Sequence, residues 1–207
     1  LTRIRNGGIA INPKIQVVAE RPATALVDGG NGMGHLVVSS AMQIAAQKAS
    51  QSGIAWVGTR MSNHAGPASL YVRALADQGF VGLYYAVGNA NHLPPWGGMD
   101  MLLSTNPIAI AFPRGHQEDV IVLDMATTVA AYGKVKAKAR AGELMPEGWM
   151  IDRSGKPLLD PNRASEGFLL PIGGHKGYGL ALLVGMLAGS LNGASMGSEV
   201  IDFNVDT

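Results

Sequence analysis

No cysteine occurs anywhere in this 207-residue chain, which removes disulfide bridges and thiolate chemistry from consideration. The same absence fits a reducing compartment, so a cytoplasmic location is expected. Charge is also scarce. Charged residues make up 15% of the sequence, and 16 Lys plus Arg against 15 Asp plus Glu leave a net charge of +1. That balance supplies no broad field to hold a nucleic-acid backbone or an anionic membrane, and neither partner is expected. The longest apolar run, Gly177 to Leu191, is about three residues short of a membrane span and is interrupted by glycines, so it reads as a buried helix. Repeats and low-complexity tracts are missing as well.

What is abundant is apolar surface and glycine. Hydrophobic residues reach 47%, which excludes a disordered chain and points to a large interior or a subunit interface. A chain of this length buries roughly 70% of its unfolded surface. The 28 glycines imply tight turns and close backbone approaches of the kind ligand-binding α/β proteins need.

Along the chain, residues 15–19 (IQVVA) and 24–28 (TALVD) read as short strands, and the Gly29, Gly30, Asn31, Gly32 stretch as a break after them. From Met33 to Ser52, apolar residues recur at helical spacing, and Gly53 stands where a terminating glycine belongs. Residues 54–60 and 80–86 read as strands flanking a helix that starts at Pro67 and runs to Gly79. The irregular stretch from Gly88 to Pro107 is too long for a mere connector, and such loops usually serve a site. Strands at 108–112 and 120–124 precede a helix from about Val129 to Ala141, and turn chemistry marks 149–163 as a surface hairpin or loop. Strands alternating with helices imply a mixed α/β fold, with sheet covered by helices and ligands collecting at strand ends.

Two nucleotide-binding signatures fail on inspection. Gly30 and Gly32 begin a dinucleotide fingerprint, but its sixth position is His35 and no acidic residue follows at the required distance. GGHKG at 173–177 lacks the glycine before the lysine, and the Ser or Thr after it, that a P-loop requires. What remains is a glycine turn that runs into a helix carrying Lys176 at its start. Four unpaired N–H groups and the helix dipole make such a turn an anion site, although a plain turn with a solvated lysine has the same spacing.

Five histidines are present, none paired at metal-helix spacing, and no metal is expected. His64 in SNHAG follows a strand, precedes a helix and has small neighbours that let a ligand approach; it either handles a proton at a reacting oxygen or caps local backbone. Asp124 either orients an imidazole, binds a ribose hydroxyl or caps the helix after it. Asn89, Asn91 and Asn106 offer amides suited to a carboxamide or sugar, and equally to loop backbone. Trp96 beside Gly97 and Gly98 either covers a ring or packs in the core.

Taken together, SNHAG at 62–66, PWGG and TNP within 95–107, LDMATT at 123–128, YGK at 132–134 and KGYGLAL at 176–182 resemble the type-2 malate/L-lactate dehydrogenase family. Its relatives include ureidoglycolate and sulfolactate dehydrogenases and reductases of diketogulonate and cyclic imino acids. The resemblance covers nearly the whole chain and implies a mixed sheet between helices that binds NAD or NADP without the Rossmann fingerprint. By the same resemblance His64 falls on the acid/base histidine, and Asn89, Asp124, Met125, Ala126, Lys176 and Gly177 fall on cofactor-binding positions. It further implies hydride transfer to or from a small 2-hydroxy or 2-oxo acid, in a homodimer. Ala65 stands where the family has an aromatic residue, and Ser104 where it has glycine. The family also carries an upstream Ser-His-Gly segment and a downstream segment that this chain, opening at Leu1, lacks. Residues 1–207 are therefore expected to form the central NAD(P)-binding and catalytic body of a longer enzyme. The competing expectation is a nucleotide- or anion-binding module that turns nothing over.

Overall fold

The computed structural model describes residues 2–115 and 120–202. His116, one of the five histidines, lies outside that set. The mixed α/β class expected from the sequence holds, with the strands distributed over three small sheets.

After a short helix α1 (Thr2–Arg5), β1 (Gln16–Arg21) and β2 (Thr24–Gly32) form an antiparallel hairpin. The helix α2 (Gly34–Ser52) then crosses over to β3 (Trp56–Ser62), which pairs with β2 in parallel. β1 is exposed along its whole length and carries a bulge between Val17 and Ala19, which blunts a sheet edge. One face of β2 packs Val27 against Val37 and Ala41 of α2. Gly53 closes α2 in the left-handed region at φ 78°, its N–H donating to the Ala49 carbonyl.

The expected break at Gly29 to Gly32 is not one: β2 continues through it. These glycines serve close approach. A Cβ on Gly29 would lie 2.6 Å from the Met61 carbonyl oxygen and 2.7 Å from the Val37 side chain. Removing the side chain lets β2, β3 and α2 meet.

α3 (Ser69–Ala76) covers a second, antiparallel sheet of β4 (Gly82–Tyr85), β5 (Ile108–Phe112) and β6 (Ile121–Met125). Ala68, Val72 and Ala76 pack there on Ala109 and Ala111. The opposite face of this sheet is apolar and uncovered, with Leu83, Ile121 and Leu123 each about half exposed.

α4 (Tyr132–Ala141) ends at Gly142 as expected. β7 (Met150–Asp152) pairs with β8 (Gly167–Leu169), a strand the sequence reading passed over because three residues carry no periodicity. A 3-10 turn at Pro161–Glu166 lies between them, around a core of Val135, Met145, Met150, Leu158 and Leu169.

α5 (His175–Ala188) is shorter than the apolar run that announced it, and it is buried on one face only. Gly177, Ala181, Val184 and Gly185 face inward, while Leu183 and Met186 remain about half exposed. One buried amide fixes it in place. Asn106 is 1% exposed, and its Nδ2 donates to the Ala181 carbonyl at 2.8 Å. Its Oδ1 accepts from the Gly88 N–H, and its own carbonyl accepts from the Thr127 hydroxyl. Gly185 makes room, since a Cβ there would lie 3.3 Å from the Asn106 Nδ2.

Two outcomes follow from this packing. A Cβ on Gly177 would sit 2.0 Å from the Ile172 carbonyl oxygen, whereas one on Gly179, in the same helix, meets nothing within 4 Å. Gly177→Ala is expected to lower stability by about 1 to 3 kcal/mol in urea melts, and Gly179→Ala to leave it unchanged or raise it. The second outcome concerns His92, which stacks on Tyr132 with ring centroids 3.9 Å apart and whose pKa is lowered to about 4, chiefly by burial. The unfolded ring takes a proton near pH 6.5, before the folded one does, so stability falls as pH drops from there towards 4. In His92→Phe that part of the acid slope should vanish from melts followed against pH.

Candidate active site

The SNHAG loop leaves β3 under tight control. The Asn63 Nδ2 donates to the carbonyl oxygens of Asn31 and Gly32 at 3.0 and 3.1 Å, and Arg3 donates to its Oδ1 at 3.0 Å. Asn31 holds φ 57°, a left-handed conformation that asparagine tolerates. The base of the loop is thereby pinned to the end of β2. On the other side the Tyr71 hydroxyl donates to the Ala65 carbonyl at 2.5 Å.

His64 sits between these anchors. Its Nδ1 accepts from the Gly66 N–H at 3.1 Å, so Nδ1 is unprotonated and the neutral ring carries its proton on Nε2. Partial burial lowers its pKa, and the charge of His35 lowers it further.

Asp124 ends up in a place that sequence reasoning did not foresee. Its Oδ2 accepts from the Ser69 N–H at 2.7 Å, across 55 residues of chain, and so caps α3 instead of the helix that follows it. Neither Thr127 nor Thr128 caps α4 either; their hydroxyls donate to the Thr105, Asn106 and Ala130 carbonyls. The cap ties the end of β6 to the helix that begins just past His64.

From Asp124 the chain runs on through Met125 and Ala126, both half-buried, and bends at Thr127 before Thr128 bridges to Pro171. The Thr127 N–H donates to the Thr105 carbonyl, the Ile172 N–H to the Thr127 carbonyl, and the Val129 N–H to the Leu170 carbonyl. Residues 124–128 thus form a short ribbon held at both ends. One end touches the start of α3, and the other meets the turn that opens α5.

That turn is made by two left-handed glycines. Gly173 and Gly174 have φ 58° and 63°, α5 has no side-chain cap, and its first turn holds no acidic residue. Lys176 is exposed, with no ion-pair partner among the described residues. Gly177 is buried because α5 presses on Ile172, a packing role. Trp96 is 60% exposed and lies against Gly174 and His175, its ring centroid 5.9 Å from the imidazole, so it is not a packed core aromatic. A helix start with a lysine at its second residue has the chemistry to hold a phosphate beside the Trp96 ring.

The long loop supplies less than its asparagines promised. Asn106 spends its amide inside the fold, and Asn91 donates to the Gly197 carbonyl at 2.7 Å. Asn89 is half-buried and makes no side-chain hydrogen bond among the described residues. Ser104 is buried against Gly88, where a Cβ would lie 2.1 Å from its hydroxyl, so the departure at 104 is accommodated by the glycine facing it.

The structure thus joins the His64 loop to Asp124, and the Lys176 turn to Thr128 and Trp96. Two clefts, of about 380 and 310 Å³, lie elsewhere, beside Arg153 and Arg163 and beside Lys138 and Trp149. Among the described residues no cluster of three or more potential ligands is placed to hold a metal ion, and no helix is long and apolar enough to cross a membrane.

Known proteins share this fold. Residues 1–207 match the malate/L-lactate dehydrogenase family. The chain is 42% identical over 201 residues to L-sulfolactate dehydrogenase of Methanocaldococcus jannaschii, covering 97% of this chain and 57% of that protein. It is 34% identical over 198 residues to the NAD(+) ureidoglycolate dehydrogenase of Escherichia coli K12, covering 96% and 56%. Among solved structures, malate dehydrogenase from Entamoeba histolytica superposes with a TM-score of 0.90 at 29% identity, over 95% of this chain and 57% of that one. The chain therefore spans a little over half the length of the relatives it matches.

The cap that holds α3 has an expected effect on stability. Asp124→Ala is expected to cost about 1 kcal/mol in a denaturant titration, and Asp124→Asn less, since an amide oxygen still accepts from the Ser69 N–H.

Proposed function

The chain belongs to the malate/L-lactate dehydrogenase family, and from that premise we propose that residues 1–207 form the cofactor-binding and catalytic body of an NAD(P)-dependent oxidoreductase. Its substrate is a small 2-hydroxy or 2-oxo acid such as malate, lactate, ureidoglycolate or sulfolactate. The names of the relatives support that class, and a cyclic imino acid fits the same chemistry. The observation that carries the reading is the 124–128 ribbon, which runs from the helix that follows His64 to the Lys176 turn.

In this proposal Lys176 and the N–H groups at the start of α5 hold a phosphate of NAD or NADP, with Gly177 setting how close the helix lies. Met125 and Ala126 line the ribbon beside the cofactor, Asp124 holds its far end, and Asn89 adds an amide from the long loop. The nicotinamide, when bound, supplies or accepts the hydride.

His64 handles the oxygen of the substrate. With Nδ1 filled by the Gly66 N–H, the neutral ring offers Nε2–H to a substrate carbonyl, and that hydrogen bond polarises it for hydride arrival at carbon. Outright proton transfer takes the imidazolium, whose Nδ1–H has to release the Gly66 amide. Oxidation returns the same proton to the ring.

A homodimer in the cytoplasm completes the proposal. The apolar residues left exposed on α5 and on the outer face of the β4–β5–β6 sheet support a partner subunit.

The test is NAD(P)H oxidation against a panel of 2-oxo acids. His64→Ala should lower kcat/KM by roughly 10² to 10⁴. Lys176→Met should raise the KM for the cofactor about 10- to 100-fold with little change in kcat. Cofactor binding with no consumption on any acid would instead favour a binding module, and consumption that survives His64→Ala would remove the histidine from the mechanism.

A further inference from the structure

The loop that carries His64 is packed upon by the first residues of α2. α2 begins with Gly34, where a Cβ would lie 2.0 Å from the Asn63 carbonyl oxygen and 2.8 Å from the Ala65 Cα. Only glycine lets the first turn of α2 press on the SNHAG loop this closely. The next residue, His35, then lies against the loop. A Cβ on Gly66 would be 2.5 Å from the His35 Nε2, so that ring occupies the space over the Gly66 backbone. Gly66 itself has φ 72°, and its N–H is the donor to the His64 Nδ1.

We propose that His35 is a positioning residue for His64: seated on Gly66, it keeps the Gly66 N–H aimed at Nδ1 and so holds the ring neutral, with its proton on Nε2. The inference rests on the reading of His64 as the group that meets the substrate oxygen. Two effects act together. The steric one is the contact chain from the His35 ring to the Gly66 amide to the His64 Nδ1. The electrostatic one is the proximity of two imidazoles, which disfavours charging both and adds to the effect of burial on His64.

Other ionisable groups reach this loop from each element packed on it: Arg3 of α1 through Asn63, Tyr71 of α3 through the Ala65 carbonyl, and Asp124 of β6 through the Ser69 N–H. Each of these bonds is made to a residue other than His64. His35 is a neighbour whose charge acts on the His64 ring directly.

The experiment follows the histidine rings by ¹⁵N NMR across pH, with the pH profile of kcat/KM measured on the same polypeptides. In the wild type, the His64 Nδ1 should show the shift of an unprotonated acceptor at neutral pH. In His35→Gln the His64 midpoint should rise by roughly half a unit, and the tautomer preference should weaken. His35→Lys places a permanent charge at the same position and should move the midpoint the other way, which keeps the test open should the glutamine variant fold poorly. A midpoint and tautomer unmoved in either folded variant would overturn the inference. If both shift and the kinetic profile shifts with them, the inference and the catalytic reading stand together. If both shift while the profile stays put, His35 does position His64, and it is the catalytic role of His64 that fails.

Discussion

The Lys176 side of the site depends on a buried amide. Asn106 reaches the carbonyl of Ala181 in the middle of α5, takes the Gly88 N–H from the long loop and, through its own carbonyl, holds the Thr127 hydroxyl. A buried amide left without partners is costly, so these three segments are held together or the fold loses each of those bonds. The arrangement is possible because Gly185 leaves the helix surface open at that point. The helix that carries Lys176 and the ribbon that begins at Asp124 thus share this anchor, and with the Ile172–Thr127 and Val129–Leu170 backbone bonds it makes neighbours of two sequence motifs far apart in the chain.

Much of the fold was legible because periodicity and terminating glycines are local signals. Gly53 and Gly142 both end helices in the left-handed region, where the sequence placed them. β5 occupies the expected residues. The misreading at Gly29 to Gly32 has a physical origin, since a glycine needed for close approach and a glycine needed for a turn look alike in sequence. β8 and the 3-10 turn before it are too short to show a period, and they form because Leu158, Ala164 and Leu169 meet a core assembled from elsewhere.

The site was legible to a different degree. Local pattern singled out His64, Lys176 and Asp124 while leaving a structural alternative open for each, and the family resemblance then assigned them roles. Asp124 as the cap of α3 could not be read, because the bond joins residues 55 positions apart. Asn63 and His35 escaped notice for a related reason. Asn63 looked like motif filler and His35 like the residue that spoiled a dinucleotide fingerprint, yet the first anchors the loop and the second presses on it. Burial lowers the proton affinity of both His64 and His92, at His92 against the opposing charge of Asp202. Both imidazoles are neutral near pH 7, and charging either one works against the packing around it.

The central claim is that a dinucleotide lies along the ribbon between the start of α3 and the start of α5. A crystal structure of the polypeptide with NAD(P)+ and a 2-oxo acid bound tests it most directly. The account predicts a cofactor phosphate on the N–H groups after Gly174 within reach of the Lys176 Nζ, with the acid oxygen facing the His64 Nε2 from the same subunit or from its partner. A cofactor seated elsewhere, with Lys176 in solvent and His64 facing no ligand, would contradict it.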